Sequence, residues 1–171
     1  MALGKDYAGQ HCGLARALEV IGERWTMLVI RDAFYGVRRF NDFAVQLDAP
    51  KAVLTDRLRR LCDAGVLEKR LYRESPPRYE YVLTPRGERL WPALHSLVQW
   101  GQEFSEEPVT RVFTHTACGG RLDGNAFCPE CGLTPPAGDV ATRPGPGPQR
   151  DDPVSRALAA PHRLLEPLVV E

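Results

Sequence analysis

No stretch of this chain reaches the roughly 20 apolar residues that a membrane-spanning helix requires, so no membrane partner is expected. The N-terminus, MALGKDYAGQHCGLAR, lacks the apolar h-region of a signal peptide, which predicts a cytoplasmic protein. No G-x-S-x-G, P-loop, paired-carboxylate or open metal constellation is present, and an enzyme is not predicted. A net charge of either sign is missing too, with 22 Lys+Arg against 22 Asp+Glu. Nor are the cysteines even in number: there are five, Cys12, Cys62, Cys118, Cys128 and Cys131. Without an export signal, an odd set argues against a disulfide framework and for metal binding or free thiols in a reducing compartment. What is present is a globular composition, 43% hydrophobic and 26% charged over 171 residues. That is enough for a compact domain of roughly 100 residues with material left over.

The balanced charge hides an asymmetry. Residues 1–104 carry 16 cationic and 13 anionic side chains, residues 105–171 carry 6 and 9, and residues 36–89 carry 12 and 8. A local basic excess is compatible with nucleic-acid binding, and on charge alone it is equally compatible with a solvated surface.

Composition divides the chain into four parts. Residues 12–104 are dense in apolar residues at helical spacing. Residues 113–133 are a Gly/Cys cluster poor in large apolar residues. Residues 134–153 hold 6 Pro and 3 Gly in 20 positions, which predicts a flexible or polyproline-like linker. The tail, 154–171, has short apolar pieces broken by Pro161 and Pro167 and is expected to dock or fray.

Within the first part, Leu14, Ala17, Leu18 and Ile21 form one helical face, closed by Gly22. A second helix from Trp25 ends at Gly36. Phe40, Phe43, Ala44 and Leu47 make a short third helix. From Pro50, a first-turn residue, Leu54, Leu58 and Leu61 give a fourth, stopped by Gly65. The alternation of VLEKRLY (66–72) predicts a strand, RESPPR (73–78) a turn, and YEYVLT (79–84) the return strand. Thr84-Pro85 then reads as a helix N-cap and first position. The closing helix is expected to run unbroken to about Phe104.

This order predicts a mainly α chain with a small β-hairpin, α+β in class: a winged helix-turn-helix followed by a zinc-ribbon-like unit and a Pro/Gly-rich tail. In that arrangement the fourth helix enters the DNA major groove and the hairpin tip reaches phosphate or minor groove. Its outward face is Lys51, Thr55, Asp56, Arg59 and Arg60. Arg73 and Arg78 flank the wing tip, stiffened by Pro76 and Pro77. Arg38 and Arg39 open the preceding helix, where phosphate contacts are expected. The candidate DNA-binding residues are therefore Arg38, Arg39, Lys51, Thr55, Arg59, Arg60, Arg73 and Arg78.

Gly22 with Arg24-Trp25, Arg39-Phe40-Asn41, Leu54-Thr55, Leu58, Gly65, Pro77-Arg78, Glu80-Tyr81, Leu83-Thr84, Gly87 and Trp100-Gly101 together resemble the HxlR-type family of bacterial transcription regulators, within the MarR-like winged-helix group. The resemblance spans roughly residues 12–104 and implies a homodimer that binds double-stranded operator DNA. One departure stands out: Ala49-Pro50 occupies the place where the family usually has a hydrophobic and a Ser-like residue, so a hydroxyl is lost. Apolar side chains on more than one face of the closing helix, Leu90, Leu94 and Leu97 on one side and Trp91 and Val98 on another, also suit a two-fold interface. The alternative is that the linker and tail cover them.

His115-x2-Cys118 and Cys128-x2-Cys131 form two knuckles, with nine residues between the inner pair. Each is followed by Gly, which permits the turn at positive φ. Four N/S donors make a closed tetrahedral site, fitting structural Zn2+. The alternatives are iron in a rubredoxin-like site or a ribbon that has lost its metal. With few large apolar residues, chiefly Phe113, Leu122 and Phe127, metal should supply the folding energy there. Cys12, beside His11 at a predicted helix start, is a candidate redox sensor: many HxlR-type members carry Cys here, and in some it senses oxidants or electrophiles. An inert Cys is the alternative. Cys62 is expected to pack, half exposed. The rival to DNA regulation is a zinc-ribbon interaction module whose winged helix contacts protein.

Overall fold

The computed structural model describes residues 7 and 9–170; residues 1–6 and 8 of the N-terminal stretch, and Glu171, lie outside them. Among the described residues no helix is long and apolar enough to cross a membrane. Helix α1 (Gly13–Ile21) starts on Cys12, whose Sγ accepts the N–H of Ala15 at 3.4 Å. It is followed by α2 (Thr26–Phe34), α3 (Phe40–Leu47) and α4 (Lys51–Asp63). Val29, Ile30 and Phe34 of α2, Phe43 of α3, and Leu54, Leu58 and Leu61 of α4 are fully buried against one another. Strands β1 (Leu67–Arg73) and β2 (Arg78–Leu83) form the antiparallel wing, in register from Leu67↔Leu83 to Arg73↔Arg78 with a bulge after Leu71. Beyond buried Leu67, β1 is exposed along its length. The predicted alternation does not bury a face, because the ribbon projects from the core. Tyr81 donates its N–H to the Arg38 carbonyl at 2.8 Å, tying β2 to the α2–α3 junction.

Two sequence expectations need correction. The closing helix is broken into α5 (Pro85–Glu88), capped by the Thr84 hydroxyl, and α6 (Trp91–Gln102). Pro92 offers no N–H to Glu88 and its ring clashes with that carbonyl, so the helix restarts there. The stretch 134–153 is no flexible linker. It contains a 3-10 turn at Ala137–Asp139 and strand β4 (Val140–Pro144), paired with β3 (Arg111–His115) and with β5 (His162–Arg163). The Pro/Gly alternation extends this edge. Pro144, Pro146 and Pro148 need no acceptor, while the N–H groups of Gly145 and Gly147 bond Thr110 O and Val109 O, both at 2.9 Å.

The tail is anchored as well. Helix α7 (Pro153–Ala157) is capped by Asp152. Val154, Leu158 and Leu164 are buried in the same core as α2 and α3, and Leu165 and Leu168 donate backbone N–H groups to Phe34 O and Gly36 O. Phe113 of β3 packs edge-on to Trp91 at 5.2 Å between ring centroids. His95 is buried in the core and bonds Asp123 O at 2.7 Å. The winged helix and its C-terminal extension therefore share one hydrophobic core.

Candidate nucleic-acid interface and metal centre

The outward face of α4 is set by its inward one. With Leu54, Leu58 and Leu61 buried, the 3.6-residue period turns Lys51, Thr55, Arg59 and Arg60 to solvent, and all four are exposed. The Thr55 hydroxyl donates to Lys51 O at 2.8 Å. Arg59 and Arg60 both reach Asp56, at 2.8 and 2.9 Å, and Arg59 also approaches Asp63 at 3.3 Å. The Asp56 carboxyl is held below its ordinary range, first by the hydrogen bond from Arg59 and then by the neighbouring guanidinium charges. The exposed cations are thus fanned over one carboxylate, and exposed pairs of this kind are worth little and exchange readily. Arg57, which the sequence did not single out, is mostly buried. It spans Glu23 at 3.1 Å and Arg24 O at 3.2 Å, bracing α4 against the α1–α2 turn.

On the wing, Arg73 and Arg78 face each other across the tip, and Arg73 donates to Ser75 O at 3.1 Å. Arg39 is exposed, with its guanidinium 5.2 Å from the Tyr72 ring, and Lys69 lies 4.0 Å from the Tyr79 ring. These tyrosine–cation pairs were missed; the alternation of aromatic and basic residues along LEKRLYR and RYEY is the signal that would have found them. Arg38 differs from the other seven candidates. It is largely enclosed, donating to Leu165 O at 3.0 Å and lying 4.0 Å from Glu80. It clasps the tail instead of joining the exposed cations.

The donor atoms of His115, Cys118, Cys128 and Cys131 all lie within 4.8 Å of one another. His115 ends β3, and the two knuckles close through Gly119 N–H to His115 O at 2.8 Å and Gly132 N–H to Cys128 O at 2.9 Å. Gly119 and Gly132 adopt φ +72° and +68°, the left-handed conformation that glycine takes without strain. Cys118 Sγ is 3.5 Å from Cys128 Sγ and 3.6 Å from His115 Nδ1. A tetrahedron with Zn–S bonds near 2.3 Å has edges of about 3.8 Å, so the donor set fits such an ion. The N–H of Gly120 points at Cys118 Sγ from 3.3 Å and lowers that thiol. Cys131 is pushed up to about 11, first by its hydrogen bond with Cys118 and then by desolvation. Metal binding to such a cluster displaces the thiol protons.

Cys12 is exposed at the α1 N-cap beside exposed His11, while Cys62 is half-buried against the core, its thiol pushed up chiefly by desolvation. Leu14, Leu97, Trp100 and Phe104 remain exposed, and Trp100 packs edge-on to Phe104 at 4.8 Å. The tail, seated on α2 and the α2–α3 junction, does not cover them.

Residues 20–109 match the HxlR-like helix-turn-helix family. A curated relative from Mycobacterium tuberculosis, an uncharacterised HTH-type transcriptional regulator, is 41% identical over 148 residues, which cover 85% of this chain and 92% of that protein. Among solved structures, PA1607, described as a candidate transcription factor, superposes with a TM-score of 0.60 at 35% identity, over 75% of this chain and 92% of its own. The redox regulator HypR in its reduced form gives a TM-score of 0.51 at 30% identity, over 54% of this chain and 92% of its own. Relatives and structural neighbours alike are transcription regulators, not enzymes.

Proposed function

This chain belongs to the HxlR-like helix-turn-helix family of transcription regulators, and from that footing we propose that it binds double-stranded operator DNA in the cytoplasm as a homodimer. The observation that carries the reading is the row Lys51, Thr55, Arg59 and Arg60, exposed over a fully buried leucine face on a helix followed by a wing with Arg73 and Arg78 at its tip. Lys51 and Arg59 read base edges, Arg39, Arg60, Arg73 and Arg78 hold phosphate, and Thr55 lies against the backbone or a base. Arg38 keeps the wing root and tail in place. Zn2+ is the metal proposed for His115, Cys118, Cys128 and Cys131. It would neutralise the thiolates and fix the fold of that segment, with no open position for chemistry.

The regulator is further proposed to respond to oxidants through Cys12. Its exposed sulfur sits at a helix N-terminus, and the neighbour HypR is described as a redox regulator. The thiolate sulfur attacks one oxygen of hydrogen peroxide and the O–O bond breaks; the sulfur keeps that oxygen as sulfenic acid, and the other leaves as hydroxide, which takes a proton from solvent to become water. The test is binding to DNA from the gene's own upstream region across a salt series. Affinity should fall steeply with salt, as counterion release demands. Peroxide should release the parent from DNA and leave Cys12→Ser bound. Salt-independent or absent binding counts against the DNA reading, and equal release of the Ser variant removes Cys12 from the mechanism.

A further inference from the structure

A cavity of about 140 Å³ lies where α2 and α3 meet the C-terminal extension. Arg31 and Tyr35 wall it from the end of α2, Gln46 from α3, and Arg111, Arg150 and Ser155 from the extension. Among the described residues no carboxylate lines it. Beyond Arg31 and Arg111 a second space of about 120 Å³ opens toward α6. Two of the three guanidiniums have an anionic neighbour: Arg31 is 2.8 Å from the buried Asp32, and Arg150 is 3.4 Å from Asp152. Arg111 has no carboxylate partner among the described residues. Its Nη1 donates to Leu158 O at 2.6 Å, and its guanidinium stands 5.9 Å from the Tyr35 ring, which Arg31 approaches to 6.0 Å. Burial lowers the proton affinity of Arg111, and nearby Arg31 adds to that. A half-buried cation beside a second cation is costly unless an anion joins them.

We infer that this cavity binds a small oxyanion, a carboxylate or phosphate compound of a few heavy atoms, between the guanidiniums of Arg111, Arg31 and Arg150. The donor forks of arginine match the paired oxygens of either group. Tyr35 offers an aromatic wall to any short organic part. The volume is well below the roughly 300–1,000 Å³ of pockets for drug-sized ligands, which excludes a nucleotide or a large aromatic effector. Arg111 and Arg150 lie beyond the family-matched span 20–109, so the site is a property of this chain with its extension. A bound anion bridges the helical head and the extension, because each contributes part of the cage.

The test uses the full chain in buffers held at one ionic strength with sodium chloride. Inorganic phosphate, oxalate and acetate are titrated separately, following the thermal unfolding midpoint and binding heat. At least one should give a saturable rise of several degrees, as expected of a ligand selective for the folded state. Arg111→Gln, which keeps an amide donor for Leu158 O, should weaken that anion at least tenfold, and so should Arg150→Gln. Preference for phosphate over both carboxylates, or the reverse, identifies the ligand class. No saturable shift with any of the three, or equal shifts in the parent and both variants, overturns the site. Should Arg111→Gln fail to fold, Arg150→Gln on the surface loop carries the same readout. DNA is absent throughout, so the result is independent of operator binding.

Discussion

Asp56 decides how the cations of α4 are presented, because Arg59 and Arg60 both rest on it in the free protein. Arg59→Ala and Lys51→Ala should each weaken operator binding by about 1–3 kcal/mol where the contact is bidentate to a base. Arg78→Ala should weaken all sequences alike and flatten the salt slope. Band-shift titrations on operator and scrambled DNA would check this, and parent-like binding by all three variants would sink the assignment. The other telling residue is Asp32, fully buried, with Oδ2 unpartnered and its carboxyl raised to about 6 by burial against the pull of Arg31. The folded chain holds this proton more tightly than the unfolded one, whose carboxyl titrates near 3.8. From about pH 4 to about pH 6, stability from this group therefore falls as pH rises, and above that range the slope vanishes. Asp32→Asn should flatten that segment relative to the parent in denaturant titrations; an unchanged difference across the range would mean that Asp32 does not titrate there.

At the scale of elements, burial patterns were legible wherever a helix packs one stripe. Leu54, Leu58 and Leu61 declare the inward face of α4, and Thr84-Pro85 declares the start of α5. The knuckles were legible too, since two-residue ligand spacing followed by Gly is a local constraint. What composition misjudged was the Pro/Gly stretch: prolines forbid a ladder only where an N–H is required, and β4 with its continuation needs donors only at alternate positions. With Zn2+ as the proposed occupant of the four donors, Cys128→Ser should lower the zinc content found by elemental analysis and expose residues 113–133 to protease. Because Phe113 packs on Trp91, it should also lower the unfolding midpoint of the whole chain, and an unchanged midpoint would show the ribbon to be a mere appendage. Leu158→Ala, at a fully buried position just after α7, should cost about 2–5 kcal/mol in chemical denaturation. A cost near zero would restore the view of the tail as a loose end.

For the whole molecule, the exposed apolar side chains of α1, of α6 and of the turn that follows α6 matter most. Leu14 is 69%, Trp100 58% and Phe104 73% exposed, and the tail that could have covered them is committed to α2 and the wing root. A dimer through this surface should sediment as such at micromolar concentration and protect two half-sites about one helical turn apart. Trp100→Ser with Phe104→Ser should give a monomer with weakened operator binding, and a parent-like dimer from that variant would place the interface elsewhere. The sequence by itself determined the order of elements from α1 to β2, the residues that α4 turns to solvent, and the four donors that the two knuckles bring together. Each rests on spacing within a few residues, where the helical period, turn chemistry or ligand geometry acts locally. Only the tertiary structure decided that Arg38 clasps the tail and that residues 134–170 complete the core. It alone brought Arg31, Arg111 and Arg150 to one cavity. Those outcomes join residues up to 127 positions apart, and contacts at such range depend on how the buried faces fit together, which no local pattern encodes.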